Sequence, residues 1–275
     1  MLALFSRQEK GTAGTCFHVI NRAVAGLTLF EKQEDYEAFE RVLALAHERV
    51  NLGIFAYCVM PNHWHFVVCP KTDTQVTDFF RWLTHTHTMR WHAHYHTEGT
   101  GHLYQGRFKT FPIQEDEHLV SVLRYVERNA LQANLVKRAE DWKYGSLWRM
   151  IHGDADSQSL LSDWSIRRPR TWRAMVNRPQ NKKELEAIRN CVRKGSPYGS
   201  DHFITQASTR QAEAKAHPPR ARKTTKNEAR LSCVRCVPFY SSNPFIGRLS
   251  WQTFQLCHPC ANLFLQSTGT IPPSK

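Results

Sequence analysis

The order of strand-like and helix-like patterns in the first half of the chain restricts its fold more than any other feature. β-branched and aromatic residues at 15–21 predict a strand, and apolar residues spaced three and four apart predict a helix over Gln33–Val50. Two strand-like runs, 54–60 and His63–Cys69, are joined by Pro61-Asn62, which suits a tight turn. The chain is therefore predicted to begin with a strand, a helix and a β-hairpin.

The same kind of pattern continues to residue 135. We predict a helix over 75–94, a short strand over 107–113 and a helix over 115–135 that begins with acidic residues, as suits its N-terminal end. The resulting order, βαββαβα, is typical of a ferredoxin-like α+β fold, in which helices pack against an antiparallel sheet. Five histidines in and just after the first of these helices are expected on a solvated surface: His85, His87, His92, His94 and His96.

The charge of the chain favours a polyanionic partner. Among 275 residues, 37 Lys and Arg stand against 24 Asp and Glu, which gives a formal net charge of +13. Such a field attracts nucleic acid. The apolar run at the start is too short for a signal peptide, and no later run is long enough to cross a bilayer. We therefore expect a cytoplasmic, nucleoid-associated protein that does not bind membranes.

Composition divides the chain into three predicted segments. A catalytic domain is expected at 1–150, a basic helical extension at 151–205, and a flexible basic linker with a cysteine-containing tail at 206–275. Positions 167–194 hold ten basic residues against two acidic ones, as expected of the basic extension, and the linker after about residue 206 is expected to attract nucleic acid.

The tail contains a cysteine pattern with the spacing of a metal site. Two pairs, Cys233 with Cys236 and Cys257 with Cys260, are separated by 20 residues, as in a four-cysteine zinc knuckle or ribbon. The surrounding sequence has few strand or turn features, so a tail with no fold is the alternative. Zinc binding and an unfolded tail both stay open.

Two residue pairs suggest chemistry in the first segment. His63 and His65 project from the same face of a predicted strand, with Trp64 pointing into the core, and Tyr125 and Asn129 lie one turn apart on a predicted helix. The histidines could bind one cation, with a phenol nucleophile and an amide oxygen nearby. Taken alone, His63 and His65 are more typical of surface histidines that bind no ligand. Taken alone, Tyr125 and Asn129 are more typical of a half-buried tyrosine with an asparagine near a helix end.

Four ordered blocks resemble one family. The residues at 17–22 (FHVINR), 60–65 (MPNHWH), 105–109 (QGRFK) and 125–129 (YVERN) are similar to motifs of the IS200/IS605-like single-tyrosine transposases, which are HUH endonucleases. Within that family the chain resembles the REP-associated tyrosine transposases. The resemblance covers about residues 15–150 and ends near Tyr144-Gly145-Ser146.

The resemblance implies a metal-dependent nicking and joining reaction. Mg²⁺ or Mn²⁺ would be bound by His63, His65 and Asn129 and would polarise a phosphate. Tyr125 would attack that phosphate and form a 5′-phosphotyrosine link, which a second 3′-OH could reverse. The implied DNA is single-stranded or hairpin DNA, such as REP-like palindromes.

The block at 105–109 is expected to contact that DNA. Gln105, Arg107 and Lys109 would contact phosphates, and Phe108 would stack on a base. The alternative for this block is a strand with a solvated basic edge.

Two other functions stay open at this point. One is a non-catalytic hairpin-DNA-binding protein derived from a transposase, and the other is a metal-dependent nuclease that activates water while Tyr125 is structural. The resemblance also leaves open whether the protein is a monomer or a homodimer.

Overall fold

The computed structural model describes residues 13–216, which contain four strands and nine α-helices. The strands are β1 (Cys16–Arg22), β2 (Gly53–Met60), β3 (His63–Cys69) and β4 (Lys109–Ile113). The helices are α1 (Gln33–Val50), α2 (Gln75–Tyr95), α3 (Glu117–Glu127), α4 (Asn129–Gln132), α5 (Ser146–His152), α6 (Ala155–Gln158), α7 (Trp172–Asn177), α8 (Lys182–Lys194) and α9 (Asp201–Ala216). None of the helices in this part of the chain is long and apolar enough to span a membrane.

The four strands form one antiparallel sheet in the order β2-β3-β1-β4. This arrangement, with helices packed against the sheet, confirms the predicted α+β fold and the βαββαβα order. The helix predicted over 115–135 is divided, because a turn at Arg128 separates α3 from α4. The strand predicted over 107–113 begins only at Lys109, which pairs with Ile20 of β1.

One face of the sheet is covered by α1 and α2. Trp64 is completely buried there and stacks on Phe80 of α2 with ring centroids 5.5 Å apart. The Trp64 indole donates to the Tyr104 hydroxyl at 3.1 Å, and that hydroxyl also lies 2.8 Å from His87 Nδ1. The expectation that His87 is solvated is therefore wrong, since its ring is buried against Tyr104.

The other face is covered by α3 and by helices from the second half of the chain. Trp172 and Val176 of α7 and Ile188 of α8 are buried in the same apolar cluster as Leu119 and Val122 of α3. Part of the segment predicted as a basic extension thus packs onto the core of the sheet. These helices position α3 against the sheet.

Helix α9 changes one prediction about the end of the chain. It continues to Ala216, ten residues past position 206, where a flexible linker was expected to begin. Sequence patterning missed this helix because its apolar residues do not repeat on one face. The remaining predictions for the tail, including zinc binding by Cys233, Cys236, Cys257 and Cys260, lie outside the described residues.

A buried carboxylate ties α3 to the helices behind it. The Glu127 carboxylate accepts hydrogen bonds from the Ser146 hydroxyl and from the Trp172 indole N–H, each at 2.7 Å. Burial raises the pKa of Glu127, and these two donors oppose the shift. The carboxylate therefore connects the last residue of α3 with α5 and α7.

Removing this carboxylate is expected to destabilise the protein. We expect Glu127→Ala to lower the free energy of unfolding by about 2–4 kcal/mol, because it leaves two buried donors without acceptors. Glu127→Gln should cost about 1 kcal/mol or less, since the amide can accept from Trp172 and donate to Ser146. Urea unfolding followed by circular dichroism measures both. Equal losses for the two variants would contradict this role of the hydrogen bonds.

Candidate active site

Two histidines at the start of β3 lie on the face of the sheet that α3 covers. The rings of His63 and His65 have centroids 5.0 Å apart and are nearly perpendicular. Across the sheet, His63 is opposite Arg22 and His65 is opposite Ile20 of β1. His65 is buried and His63 is half-buried. Because successive side chains of a strand point to opposite faces of the sheet, His63 and His65 lie on the same face, the one that α3 covers.

Tyr125 of α3 faces this pair. Its ring centroid lies 5.7 Å from that of His65, and the two rings are perpendicular. Asn129, the first residue of α4, lies one turn further on, and its side chain is close enough to Tyr125 to oppose the rise in the pKa of the phenol. The structure thus brings Tyr125 and Asn129 together with His63 and His65, although Tyr125 follows His65 by 60 positions in the sequence.

Hydrogen bonds at one ring nitrogen orient each histidine. His63 Nδ1 lies 2.7 Å from Asn62 Oδ1, and His65 Nδ1 lies 2.8 Å from His18 Nε2. When each Nδ1–H donates in these bonds, the lone pair of each Nε2 is available to a cation. Burial, with a smaller effect of the Arg22 charge, lowers the pKa of His63 to about 4, and burial together with the neighbouring His63 and His18 lowers the pKa of His65 well below its ordinary value. Both rings are therefore neutral near pH 7, as a metal ligand must be.

His18 is a site residue to which sequence analysis assigned no role. It lies on β1, is completely buried, and its ring centroid is 6.0 Å from that of Tyr125. Burial lowers its pKa to about 3. A histidine on one strand gives no sign of its partner on another, because the register between β1 and β3 cannot be read from the sequence. The register places His18 beside His65.

Two arginines lie beside Tyr125. Burial raises the pKa of Tyr125, whereas the charges of Arg189 and Arg22 and hydrogen bonds from Asn129 and Arg189 act in the opposite direction. Arg189 belongs to α8, which is distant in sequence, and the sequence pattern marks it only as one member of a basic segment. Its charge would stabilise a developing phenolate.

A cavity opens next to the tyrosine. Its volume is about 720 Å³, and Tyr125, Arg22 and Arg189 are among the residues that line it. The opening places the phenol beside a space large enough for part of a ligand.

The loop before β4 lies at the same end of the sheet. The Gln105 backbone N–H donates to the Arg22 carbonyl at 2.9 Å, and Lys109 is opposite Ile20 on β1. Gln105, Arg107 and Lys109 are exposed, but Phe108 is buried and its ring centroid is 5.4 Å from that of Phe80. The structure therefore contradicts base stacking by Phe108, since its ring is part of the core.

Another group of ligating side chains lies at the opposite end of the same strands. Cys16, Cys69 and Glu115 bring two thiols and a carboxylate within 4.8 Å of one another. Cys16 begins β1 and Cys69 ends β3, whereas His63 begins β3. This group shares no residue with the site at Tyr125.

Comparison with known protein families finds a match over the part of the chain that holds this site. Residues 13–129 match the family model of IS200-like transposases. This part of the chain, 117 of 275 residues, is thus similar to IS200-like transposases. The match ends at Asn129, so α5 to α9 lie beyond it.

Among solved structures, the chain is similar to a REP-associated tyrosine transposase that was solved bound to a REP hairpin. The two sequences are 18% identical, the TM-score is 0.44, and the alignment covers 55% of this chain and 87% of the other. No curated protein matches the chain significantly.

Proposed function

We propose that this protein is a metal-dependent, single-tyrosine transposase that cleaves and rejoins single-stranded or hairpin DNA. The observation that carries the proposal is the placement of Tyr125 directly opposite His65, with ring centroids 5.7 Å apart. A phenol in this position can act as a nucleophile toward a phosphate that the neighbouring site holds. The match of residues 13–129 to the family model of IS200-like transposases supports the same reaction.

The residues at the site fit a divalent cation. His63 and His65 each have Nδ1 engaged in a hydrogen bond, which leaves Nε2 available to a ligand, and Asn129 would add an amide oxygen from its place beside Tyr125. Nitrogen and oxygen donors of this kind suit Mn²⁺ and Mg²⁺. When bound, the cation would polarise the scissile phosphate and offset the negative charge that develops on it.

Tyr125 is the nucleophile of the proposed reaction, and two arginines stabilise its oxygen. The Tyr125 oxygen forms a bond to phosphorus as the bond from phosphorus to the 3′ oxygen breaks, and the departing oxygen becomes a 3′-OH. The product is a 5′-phosphotyrosine, which conserves the phosphodiester bond energy. A second 3′-OH can then attack the same phosphorus, and Tyr125 leaves as the phenol. Arg189 and Arg22 stabilise the tyrosine oxygen when it bears negative charge.

Hairpin DNA of the REP type is the substrate that the proposal favours. The chain carries a net charge of +13, and exposed Gln105, Arg107 and Lys109 lie at the end of the sheet where β1 reaches Arg22. Such a surface contacts the phosphate backbone on the approach to the site.

Covalent capture of labelled DNA tests the proposal. The full chain is incubated with hairpin oligonucleotides that carry single-stranded flanks and a label at either end, with Mn²⁺ or with EDTA. We expect a protein-linked label from the 3′-labelled DNA only, because the 5′-phosphotyrosine retains the downstream fragment, and we expect no link in EDTA. Cleavage without a link would favour a water-activating nuclease, and binding without cleavage would favour a non-catalytic hairpin binder.

His18 is expected to position His65 for metal binding. We expect His18→Ala to weaken Mn²⁺ binding by about 10–100-fold, because His65 loses the partner that fixes its Nδ1. Electron paramagnetic resonance of free Mn²⁺ measures this affinity. His85→Ala, which changes an exposed histidine of α2, is the control and should bind Mn²⁺ as the wild type does. Equal affinities for His18→Ala and the control would contradict the role.

A further inference from the structure

Helix α8 presents one basic face to the cavity beside Tyr125. Residues spaced three, four and seven apart on this helix line the cavity, so they share one side of it. Three of them are cations, Lys182, Arg189 and Arg193, and one is an acid, Glu186. Arg22 from β1 adds a fourth cation to the lining of the cavity. Four positive charges therefore surround a cavity at the nucleophile.

The segment that leads into α8 is held by the helix that bears the tyrosine. The Arg124 guanidinium donates to the carbonyls of Arg178 and Pro179 at 2.7 and 3.1 Å. The Gln180 amide donates to the Ser121 carbonyl of α3 at 3.1 Å. The start of α8 is thus fixed by residues one and four positions before Tyr125 in α3.

The end of α8 is held by the edge of the sheet. Gly195 ends the helix in the left-handed conformation with φ of 68°, which glycine adopts without strain. Tyr198 then pairs with β4, because its N–H donates to the Pro112 carbonyl and its carbonyl accepts from Gln114 N–H, each at 3.0 Å. In between, Ile188 is buried in the core that α3 shares. Helix α8 is therefore a fixed wall of the cavity.

The chemistry of this wall suits a phosphodiester backbone. Lys182, Arg189 and Arg193 are exposed, and they present their cations along about three turns of the helix. Arginine binds phosphate through paired N–H donors, and successive phosphates along a strand match a row of cations. The apolar positions Leu185 and Val192 lie between the cations on the same face, where they can contact sugars or bases.

We propose that the basic face of α8, together with Arg22, binds the single DNA strand next to the phosphate that Tyr125 attacks, with Arg189 contacting both the tyrosine and the strand. The proposal rests on the proposed function, and it assigns a DNA-binding role to a helix beyond the part of the chain that matches the transposase family. Arg189 is the link between strand binding and the nucleophile.

This DNA-binding role of α8 is tested by measuring the binding of single-stranded DNA under conditions in which no cleavage occurs. Every variant carries Tyr125→Phe, and the solution contains EDTA, so that binding is measured apart from cleavage and metal. The probe is a fluorescein-labelled, mixed-sequence 20-nucleotide single strand, and its dissociation constant is measured by anisotropy at several salt concentrations. The test pair is Arg189→Gln with Arg193→Gln. The matched control is Lys183→Gln with Lys194→Gln, which removes the same charge from positions of α8 that do not line the cavity.

We expect the test pair to weaken binding roughly tenfold and to reduce the slope of log affinity against log salt by about 1.4, about 0.7 for each lost phosphate contact. The control pair should change both quantities much less. Unchanged affinity and slope in the test pair, or equal changes in both pairs, would overturn the proposal. Failure of adduct formation in the wild type would instead count against the proposed function, since this binding assay requires neither Tyr125 nor metal.

Discussion

Tyr125→Phe is expected to abolish the protein–DNA link and to reduce strand cleavage by about 10⁴-fold or more, because it removes the attacking oxygen itself. The phenylalanine ring retains the shape that packs against His65 and His18, so the fold and DNA binding should persist. The measurement is single-turnover cleavage of an end-labelled hairpin oligonucleotide with Mn²⁺, read on denaturing gels of both DNA and protein.

The control for this prediction is Tyr95→Phe. Tyr95 lies at the end of α2, where its hydroxyl donates to Asp35 at 2.8 Å, on the opposite side of the sheet from α3. This variant should cleave and form the link as the wild type does. Cleavage by Tyr125→Phe at the rate of the wild type would show that water, and not the phenol, attacks the phosphate.

Replacing both histidines of β3 is expected to have the second-largest effect. In the double variant His63→Ala with His65→Ala, we expect Mn²⁺ affinity to fall by at least about 100-fold and cleavage by roughly 10³-fold, since two donors are lost together. DNA binding in EDTA should not fall, because neither ring carries positive charge near pH 7. Electron paramagnetic resonance of free Mn²⁺ measures the metal affinity, single-turnover assays measure the cleavage rate, and fluorescence anisotropy measures DNA binding.

Two exposed histidines of α2 provide the matched control. His85→Ala with His94→Ala removes the same side chains from the other face of the sheet and should leave Mn²⁺ binding and cleavage unchanged. If the β3 variant cleaves DNA at the wild-type rate in Mn²⁺ while remaining folded, the assignment of the metal site to His63 and His65 is wrong.

Local patterning predicted the elements that carry the site. Helix α1 has the predicted bounds, and Trp64 is buried between two histidines that face the other way. Both results depend on side-chain periodicity, which neighbouring residues determine. The same reasoning failed for Phe108, because a short run before a strand does not show which side of the chain meets the core. Burial of its ring against Phe80 decides that question.

The contacts missed by sequence analysis are all between distant segments. His18 reaches His65 through the pairing of β1 with β3, and Arg189 reaches Tyr125 because α8 packs against α3. Neither residue belongs to a recognisable spacing with its partner. The count of charged residues predicts the basic segment around α8. Which arginine of that segment lies beside the Tyr125 phenol depends on tertiary packing.

The placement of Tyr125 opposite His63 and His65 within one polypeptide limits what a single molecule can do. In the described part of the chain, one tyrosine faces this pair, and Glu127 and Arg128 tie its helix to α5 and α7 from behind. Under the proposed chemistry, each molecule therefore holds one severed 5′ end at a time. Excision of a DNA segment bounded by two cleavage points would require either two molecules acting together or one molecule that completes each cut and ligation in turn.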